Sequence, residues 1–411
     1  MRDALVGLRI LDLTAYLSGP FATLTLAGLG ADVIKIERRD GGDPARAFPP
    51  FCGPDGTDLF EPTSPTDESV AILKRNRGKR SLTLDLGTPR GRELFLRMVE
   101  SADVVIENLA PGVMEKWGLD YATLAAANPR VILCSISGFG RTGPKKDLGA
   151  FDPIIQASAL TMATNGFADR PPVRTGISFG DTVPALYAVI GILAALRQRE
   201  RTGRGRAIDI AMHDALVAML MVEPMESQVN WGFPLRTGSR IPRLAPCNVY
   251  ACRDGYVALN AAPPRLWRRL ARAMGDDELK AADLEPLAAR IRRQDWIDEQ
   301  VAAWVAGQTV QGLVDRMAEN GIPCARVLQT IDELVEDASL RDHGMLHGVE
   351  HPVIGPLPGV VAPAVPVRSV GETSQPLARA PALGEHTVQI LSDELGLDAA
   401  EIAELQRQNI V

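Results

Sequence analysis

The sequence predicts an α/β protein: a doubly wound, Rossmann-like large domain carrying a smaller α+β domain. Two observations lead there. Through the first half of the 411 residues, short apolar runs alternate with runs of helical spacing, as they do where helices cover both faces of a parallel sheet. After residue 220 the alternation gives way to an irregular stretch, a hairpin and a group of helices, which marks a second unit. The length itself implies about two to three domain-sized units. The boundaries read as 1–220 for the first part of the large domain, 221–328 for the small domain and 329–411 for a linker and tail.

Leu8-Arg-Ile-Leu-Asp-Leu13 is a short apolar strand; Gly19-Pro20 opens a helix through Leu29, and Gly30 closes it as glycine does past a helix end. Ala31-Asp-Val-Ile-Lys-Ile-Glu37 is a second strand, completing a parallel βαβ unit. Glu37 tempts a dinucleotide reading, but the first turn is Thr14-Ala-Tyr-Leu-Ser-Gly-Pro, without the GxGxxG that lets a backbone approach a pyrophosphate. Arg38 and Arg39 follow at the strand end, where α/β sheets bind ligands; they read as an anion site or as solvated loop charge.

Residues 49–72 read as a long loop, and Asn76 to Asp85 as a basic turn feeding a strand. Pro89 to Val99 is an amphipathic helix, Ala102 to Asn108 a buried strand, Pro111 to Gly118 a short helix and Arg130 to Ser137 another strand. Cys247 to Leu259 reads as a hairpin with an Asp-Gly turn, followed by helices near 264–274, 282–291, 294–306 and 309–319. The tail holds a Pro/Val-rich segment, 352–367, and a final helix to about Gln408.

The chain is organised around Pro172-Val-Arg-Thr-Gly-Ile-Ser-Phe-Gly-Asp181 and the apolar helix that follows. An extended segment hands over to a helix at Asp181, which reads either as an N-cap or as a functional carboxylate beside unpaired helix N–H groups. Arg197 to Gly205 reads as a basic turn, and Ala207 to Asp214 as a strand entering another helix.

Apolar content of 46% and charged content of 23% describe a soluble globular protein. A net charge of −7 argues against a nucleic-acid partner, while local basic clusters remain free to hold a phosphorylated small molecule. Five cysteines without a CxxC pair give neither a disulfide frame nor a zinc site, so a reducing cytoplasm fits and no metal is expected. Leu13 to Ala31 is uncharged but contains Gly19-Pro20, three threonines and a serine, and reads as internal structure, not a secretory core. The apolar run after Asp181 falls short of the roughly twenty residues that span a bilayer, so no membrane segment is expected.

The block from Gly-Ile-Ser-Phe-Gly-Asp181 through Arg-Thr-Gly-Arg-Gly-Arg-Ala-Ile-Asp-Ile-Ala-Met212 resembles the signature of the family III CoA-transferases, which includes α-methylacyl-CoA racemase. The opening Leu-Val-Gly-Leu-Arg-Ile-Leu-Asp12 and the closing Leu-Gly-Glu-His386 are similar to the family's two ends, so the resemblance covers essentially the whole chain. It implies that Asp181 is the nucleophile, that Arg38, Leu84, Asn108, Lys116 and Phe139 contact coenzyme A, that the tail returns to the large domain and that the protein is an interlocked homodimer. The implied substrates are an acyl-CoA and a carboxylic acid, with the CoA thioester as substrate and no permanently bound cofactor.

A carboxylate nucleophile conserves thioester energy by forming an anhydride and then an aspartyl-CoA thioester. Backbone N–H groups near Gly180 are the expected oxyanion donors. The alternative within the fold is an acyl-CoA racemase or epimerase, whose histidine base is replaced here by Phe151. A non-catalytic CoA-binding subunit is the alternative of another class. Formyl-CoA transferase has a glutamine where Leu17 stands and a glycine run where Thr237 to Pro246 stands, which argues against oxalate. Arg236, Arg240 and Arg243 read as surface charge or as a hold on the second carboxylate of a dicarboxylate such as succinate, with succinyl-CoA as donor. The family's lysine at the position of Gly87 is absent, leaving Lys79 or Arg80 as substitutes.

Overall fold

The computed structural model describes Met1–Val411, and the chain forms two compact units. The first comprises Met1–Ala159, Ile177–Met219 and Asp337–Val411; the second comprises Leu160–Gly176 and Leu220–Glu336. Residues 160–176 thus group with the second unit, whereas the sequence reading placed them within 1–220.

The first unit is built on six parallel strands: β1 (Arg9–Leu13), β2 (Asp32–Glu37), β3 (Arg80–Thr83), β4 (Val104–Glu107), β5 (Ile132–Ser137) and β6 (Ala207–Ala211). Their order is β3-β2-β1-β4-β5-β6, so the winding reverses between β1 and β4. Such a reversal opens a crevice at the carboxyl ends of the two central strands. Both faces of the sheet are covered, and the central strands β1, β4 and β5 carry apolar side chains toward each face. Ile10, Val33, Val104, Ile132 and Cys134 pack with Ala22 and Leu26 of helix Ser18–Gly28 and with Val183, Ala188 and Ile192 of helix Phe179–Thr202. Leu11, Ile34, Val105 and Leu133 face the other way, onto Leu94 and Phe95 of helix Pro89–Val99 and onto Ile390, Ile402 and Leu405 of the two C-terminal helices. Each such buried aliphatic side chain contributes about 1.5–3 kcal/mol.

Several local expectations are corrected. Asp181 is not a helix cap: the helix begins at Phe179, with Ser178 before it, and the N–H groups of Asp181 and Thr182 already donate back to the Ser178 carbonyl. The segment before it, 172–177, pairs with no strand. Residues 197–202 form no turn; arginine, glutamine and glutamate are good helix formers, and the helix runs 24 residues until Gly203 ends it at φ +71°. By length and composition that helix is sufficient to cross a membrane, but its Val183, Ala185, Ala188, Val189 and Ile192 sit in the core of the sheet. Residues 49–72 are not a plain loop, since Phe51–Gly53 pairs with Gly56–Leu59 and Glu68–Ser69 before helix Val70–Arg75 begins. The Pro/Val-rich tail forms an antiparallel hairpin, Leu346–His351 with Gly355–Pro363.

The second unit holds a three-stranded antiparallel sheet, Cys247–Cys252, Gly255–Asn260 and Cys324–Arg326, covered by helices Pro264–Met274, Gln294–Ala306 and Val310–Glu319. The hairpin loop is Arg253-Asp254, with Gly255 already paired to Cys252. Trp267, Leu270, Ile297, Val301, Leu313 and Met317 fill the core.

Candidate active site

The crevice at the β1–β4 reversal is roofed by the turn Thr14–Leu17, and other elements hold almost every polar group of that turn. The Asn108 side chain, just past β4, brackets Ala15, accepting from its N–H and donating to its carbonyl, both at 2.8 Å. Lys35 Nζ donates to the Thr14 carbonyl at 2.7 Å. Asp43 Oδ1 accepts from the Tyr16 N–H at 3.0 Å, and Arg75 Nη1 donates to the Tyr16 carbonyl at 3.1 Å. Tyr16 itself has φ +66°, a left-handed conformation that costs about 1–2 kcal/mol for a residue with a Cβ and persists only where its surroundings impose it.

Beneath the turn lies a closed set of buried charges. Lys79 Nζ pairs with Asp12 at 3.0 Å and also donates to Asn76 and the Pro20 carbonyl. Lys35 pairs with Asp43 at 3.1 Å, and Arg46 pairs with Glu37 at 2.8 Å and Glu68 at 3.0 Å. Burial alone would raise the Asp12 carboxyl, yet Lys79 and Lys35, with hydrogen bonds from Thr14 and Thr23, hold it down at about 2.

Asp181 is placed by a different route. Phe151 packs edge-on against Tyr16, with ring centroids 5.5 Å apart, and precedes helix Asp152–Ser158. Asp152 Oδ1 accepts the Gly180 N–H at 2.8 Å, and Gln156 Nε2 reaches both Asp152 oxygens. A Cβ on Gly180 would lie 2.9 Å from the Asp152 carbonyl oxygen, so this approach needs glycine. Asp181 therefore stands in the first turn of its helix, half-buried, with no hydrogen bond or ion pair to its carboxylate. Burial, then the neighbouring Asp152, push it up to about 6, against the opposing pull of Arg75.

The expected oxyanion donors are corrected by this geometry. The Gly180 N–H is taken by Asp152, the Asp181 and Thr182 N–H groups by the Ser178 carbonyl and the Phe179 N–H by the Ile177 carbonyl. Helix Ser18–Gly28, directly after the Tyr16 turn, starts with no side-chain cap; Pro20 has no N–H and the Phe21 N–H donates to the Leu17 carbonyl, which leaves those of Ser18 and Gly19 at its head.

The residues singled out for coenzyme A lie at the carboxyl edge of the sheet. Arg38 directly follows β2 and is exposed; Leu84 follows β3 and is buried; Asn108 follows β4. Lys116 ends the short helix Val113–Lys116 and is exposed. Phe139 follows β5, packed 5.7 Å from His213 with Lys145 Nζ 5.5 Å above its ring. Asn108 has both side-chain polar atoms engaged by Ala15, so its side chain serves the turn.

Neither proposed substitute for the lysine missing at Gly87 is available. Lys79 is fully buried on Asp12, and Arg80 pairs with Asp32 and Glu394, both at 2.6 Å. The three arginines read as a hold on a second carboxylate are also engaged. Arg236 donates to the Phe167 and Ala163 carbonyls, Arg240 pairs with Asp295 and Asp298, and Arg243 pairs with Glu223. Arg236 and Arg240 line a cavity of ≈ 1470 Å³ within the second unit.

Sequence reasoning missed Tyr16, Asp152 and Arg75. The signal for Asp152 was its Phe-Asp-Pro helix start, which invites a carboxylate in a first turn. Tyr16 and Arg75 had no local signal, because a left-handed tyrosine and an arginine at a helix end acquire meaning only from the partners the fold brings to them.

The profile of CoA-transferase family III matches residues 5–387. The succinyl-CoA–D-citramalate CoA-transferase of Chloroflexus aurantiacus is 37% identical over 406 residues, covering 98% of this chain and 97% of the relative. The succinyl-CoA:mesaconate CoA-transferase of Haloarcula hispanica is 39% identical over 398 residues, covering 96% and 97%. Among solved structures, a CAIB/BAIF family protein from Brucella suis superposes with TM-score 0.78 at 32% identity, covering 94% of this chain and 98% of that one. With a matched span of that extent and a parallel α/β fold in common with its structural neighbours, this chain belongs to CoA-transferase family III and is an enzyme of that family.

Proposed function

We propose that the protein moves coenzyme A from succinyl-CoA to a carboxylic acid, the acceptor being a dicarboxylate, with Asp181 as covalent nucleophile. The observation that carries this reading is the Asp181 carboxylate itself, half-buried, free of hydrogen bonds and raised to about 6, so that it is ionised yet poorly stabilised at neutral pH. Succinyl-CoA is favoured as donor because the relatives described above carry it in their names.

Asp181 attacks the thioester carbonyl, the carbon–sulfur bond breaks and CoA thiolate leaves, giving an acyl-aspartyl anhydride. The thiolate then attacks the aspartyl carbonyl and expels the donor acid as its carboxylate, leaving an aspartyl-CoA thioester. The acceptor carboxylate attacks that thioester and again expels thiolate, forming a second anhydride. Thiolate attack on the acceptor's acyl carbon then yields the new thioester and regenerates Asp181. Every step exchanges one carboxylate or thiolate for another, so no proton or electron changes hands. The Ser18 and Gly19 N–H groups at the head of helix Ser18–Gly28 are the candidate donors to the tetrahedral oxyanions. Arg38, Lys116 and the surfaces of Asn108 and Phe139 hold the CoA moiety along the sheet edge, with buried Leu84 packed beneath them as part of the core.

The racemase reading lacks support at the site, because Phe151 packs its ring on Tyr16 and has no proton to exchange. The enzyme acts in the cytoplasm as an interlocked homodimer, a reading favoured by its free cysteines and by the exposed Leu186, Tyr187, Ile190 and Leu193 along helix Phe179–Thr202. Purified protein given succinyl-CoA and a panel of dicarboxylic and monocarboxylic acids tests the reading by mass spectrometry. It forms new thioesters only when both partners are present, and a CoA adduct appears on the Asp181 peptide. Absence of both overturns it.

A further inference from the structure

We propose that Arg75 is the carboxylate anchor of the acyl site, binding the distal carboxylate of an acyl group that carries two, so that the enzyme selects dicarboxylic acyl-CoA thioesters. The inference rests on the CoA-transfer reading above and names the residue that sets the substrate class for that site.

Arg75 ends helix Val70–Arg75, whose Ile72 and Leu73 are fully buried and fix where the helix stops. Its guanidinium is partly buried and makes one hydrogen bond, from Nη1 to the Tyr16 carbonyl. A guanidinium has five N–H donors, and those withdrawn from water are ordinarily matched to acids or to several carbonyls. Other sheltered arginines of this chain obey that rule. Arg46 holds Glu37 and Glu68, Arg199 holds Asp103, Arg77 caps two carbonyls and Arg290 caps the carbonyls of Ala245, Ala262, Leu284 and Glu285. Arg75 is left with donors to offer.

The place it offers them is set by the same contacts that set Asp181. Arg75 holds Tyr16, Tyr16 packs on Phe151, and Phe151 leads into the helix whose Asp152 fastens Gly180, one residue before the nucleophile. Asp181 and Arg75 feel each other's charge, yet they form no ion pair, which leaves the guanidinium unclaimed. The Tyr16 ring is flanked by Phe151 and, at 6.1 Å, by Phe48. These rings give an apolar wall suited to the short aliphatic link between a thioester carbonyl and a distal carboxylate. Planar, bidentate carboxylate recognition is the chemistry a guanidinium with open donors performs best. Arg236 and Arg240 already hold partners, and Arg243 is committed through Nη2 to Glu223, although its Nη1 has none. Because donor and acceptor acyl groups are joined in turn to one aspartate, the anchor imposes the same demand on both.

The test compares succinyl-CoA with succinamyl-CoA, in which a neutral amide of the same shape replaces the distal carboxylate, against one common acceptor. The wild-type enzyme prefers succinyl-CoA in kcat/KM by on the order of 10²-fold, as expected for loss of a charged hydrogen-bonded partner. Arg75→Gln keeps a donor for the Tyr16 carbonyl but removes the charge, and shrinks that ratio to within about threefold. Arg75→Lys, which keeps the charge without the bidentate fork, retains a preference of about tenfold and serves if the glutamine variant fails to fold. A wild-type enzyme that treats the two thioesters alike overturns the proposal. So does an Arg75→Gln or Arg75→Lys enzyme that turns over both more slowly with the wild-type ratio intact. If the wild-type enzyme transfers CoA from neither thioester to any acid, the CoA-transfer reading itself falls, an outcome distinct from equal transfer from both.

Discussion

The charges below the Thr14–Leu17 turn and those beside it are treated in opposite ways. Below it, Asp12, Lys35, Asp43 and Lys79 are removed from water and each meets opposite charge within 3.1 Å. Beside it, Asp181 and Arg75 are only partly sheltered and are left short of partners. The first set has no donor or charge to lend and works by holding the turn in place. The second keeps its charge at a desolvation penalty that a bound substrate would relieve, which is how a site differs from a scaffold.

This contrast is open to direct tests. Replacing Asp181 with alanine lowers exchange by on the order of 10⁴-fold, measured as new thioester formed, while calorimetry still detects CoA binding. Turnover near the wild-type level in that variant would show that the open carboxylate is not the nucleophile. Lys79→Met leaves Asp12 buried without its ion-pair partner and lowers stability by about 3–5 kcal/mol in urea unfolding. Adding Asp12→Leu to it recovers much of the loss; a single variant as stable as wild type would remove the scaffold half of the comparison.

The two regions also titrate differently. With Asp181 raised to about 6, kcat/KM falls about tenfold per pH unit below that value, since the protonated carboxyl is no nucleophile. An acid limb near the unperturbed carboxylate value of 3.8 would show that burial does not tune this group. The linked stability effect has a definite sign. A carboxyl raised by the native fold favours the native state at pH below its unfolded value, and that contribution is lost as pH rises through about 6. Asp181→Asn therefore melts at higher temperature than wild type at pH 8, and the gap closes toward pH 4. The smallest effect falls on the exposed edge. Arg38→Gln raises KM for the CoA thioester by about threefold to tenfold, an increase that added salt diminishes because an exposed phosphate contact is screened. A KM unmoved by this change would take Arg38 out of the CoA site.

Much of the fold was legible because its causes are local. The apolar strands around Ile10, Ile34, Val105 and Leu133 need only their own sequence to be recognised, since strands buried on both faces are apolar throughout. Errors arose where a local signal had two outcomes. Asp181 has the residue type and position of an N-cap, and only the capture of Gly180 by Asp152 shows that the helix starts earlier. Lys79 looked available as a substitute CoA contact because a sequence does not display that Asp12, 67 positions away, already holds it.

By itself the sequence determined the alternating α/β pattern and an aspartate at the head of an apolar helix. These follow from period, composition and residue type, which act over a few neighbours. Only the tertiary structure decided which charges are free. It joined Tyr16 to Asp43, Arg75 and Phe151, closed the backbone donors at Gly180 and gave Arg236, Arg240 and Arg243 partners of their own. The physical reason is that a charge's availability depends on what else has been brought within a few ångströms of it, and those neighbours come from distant parts of the chain.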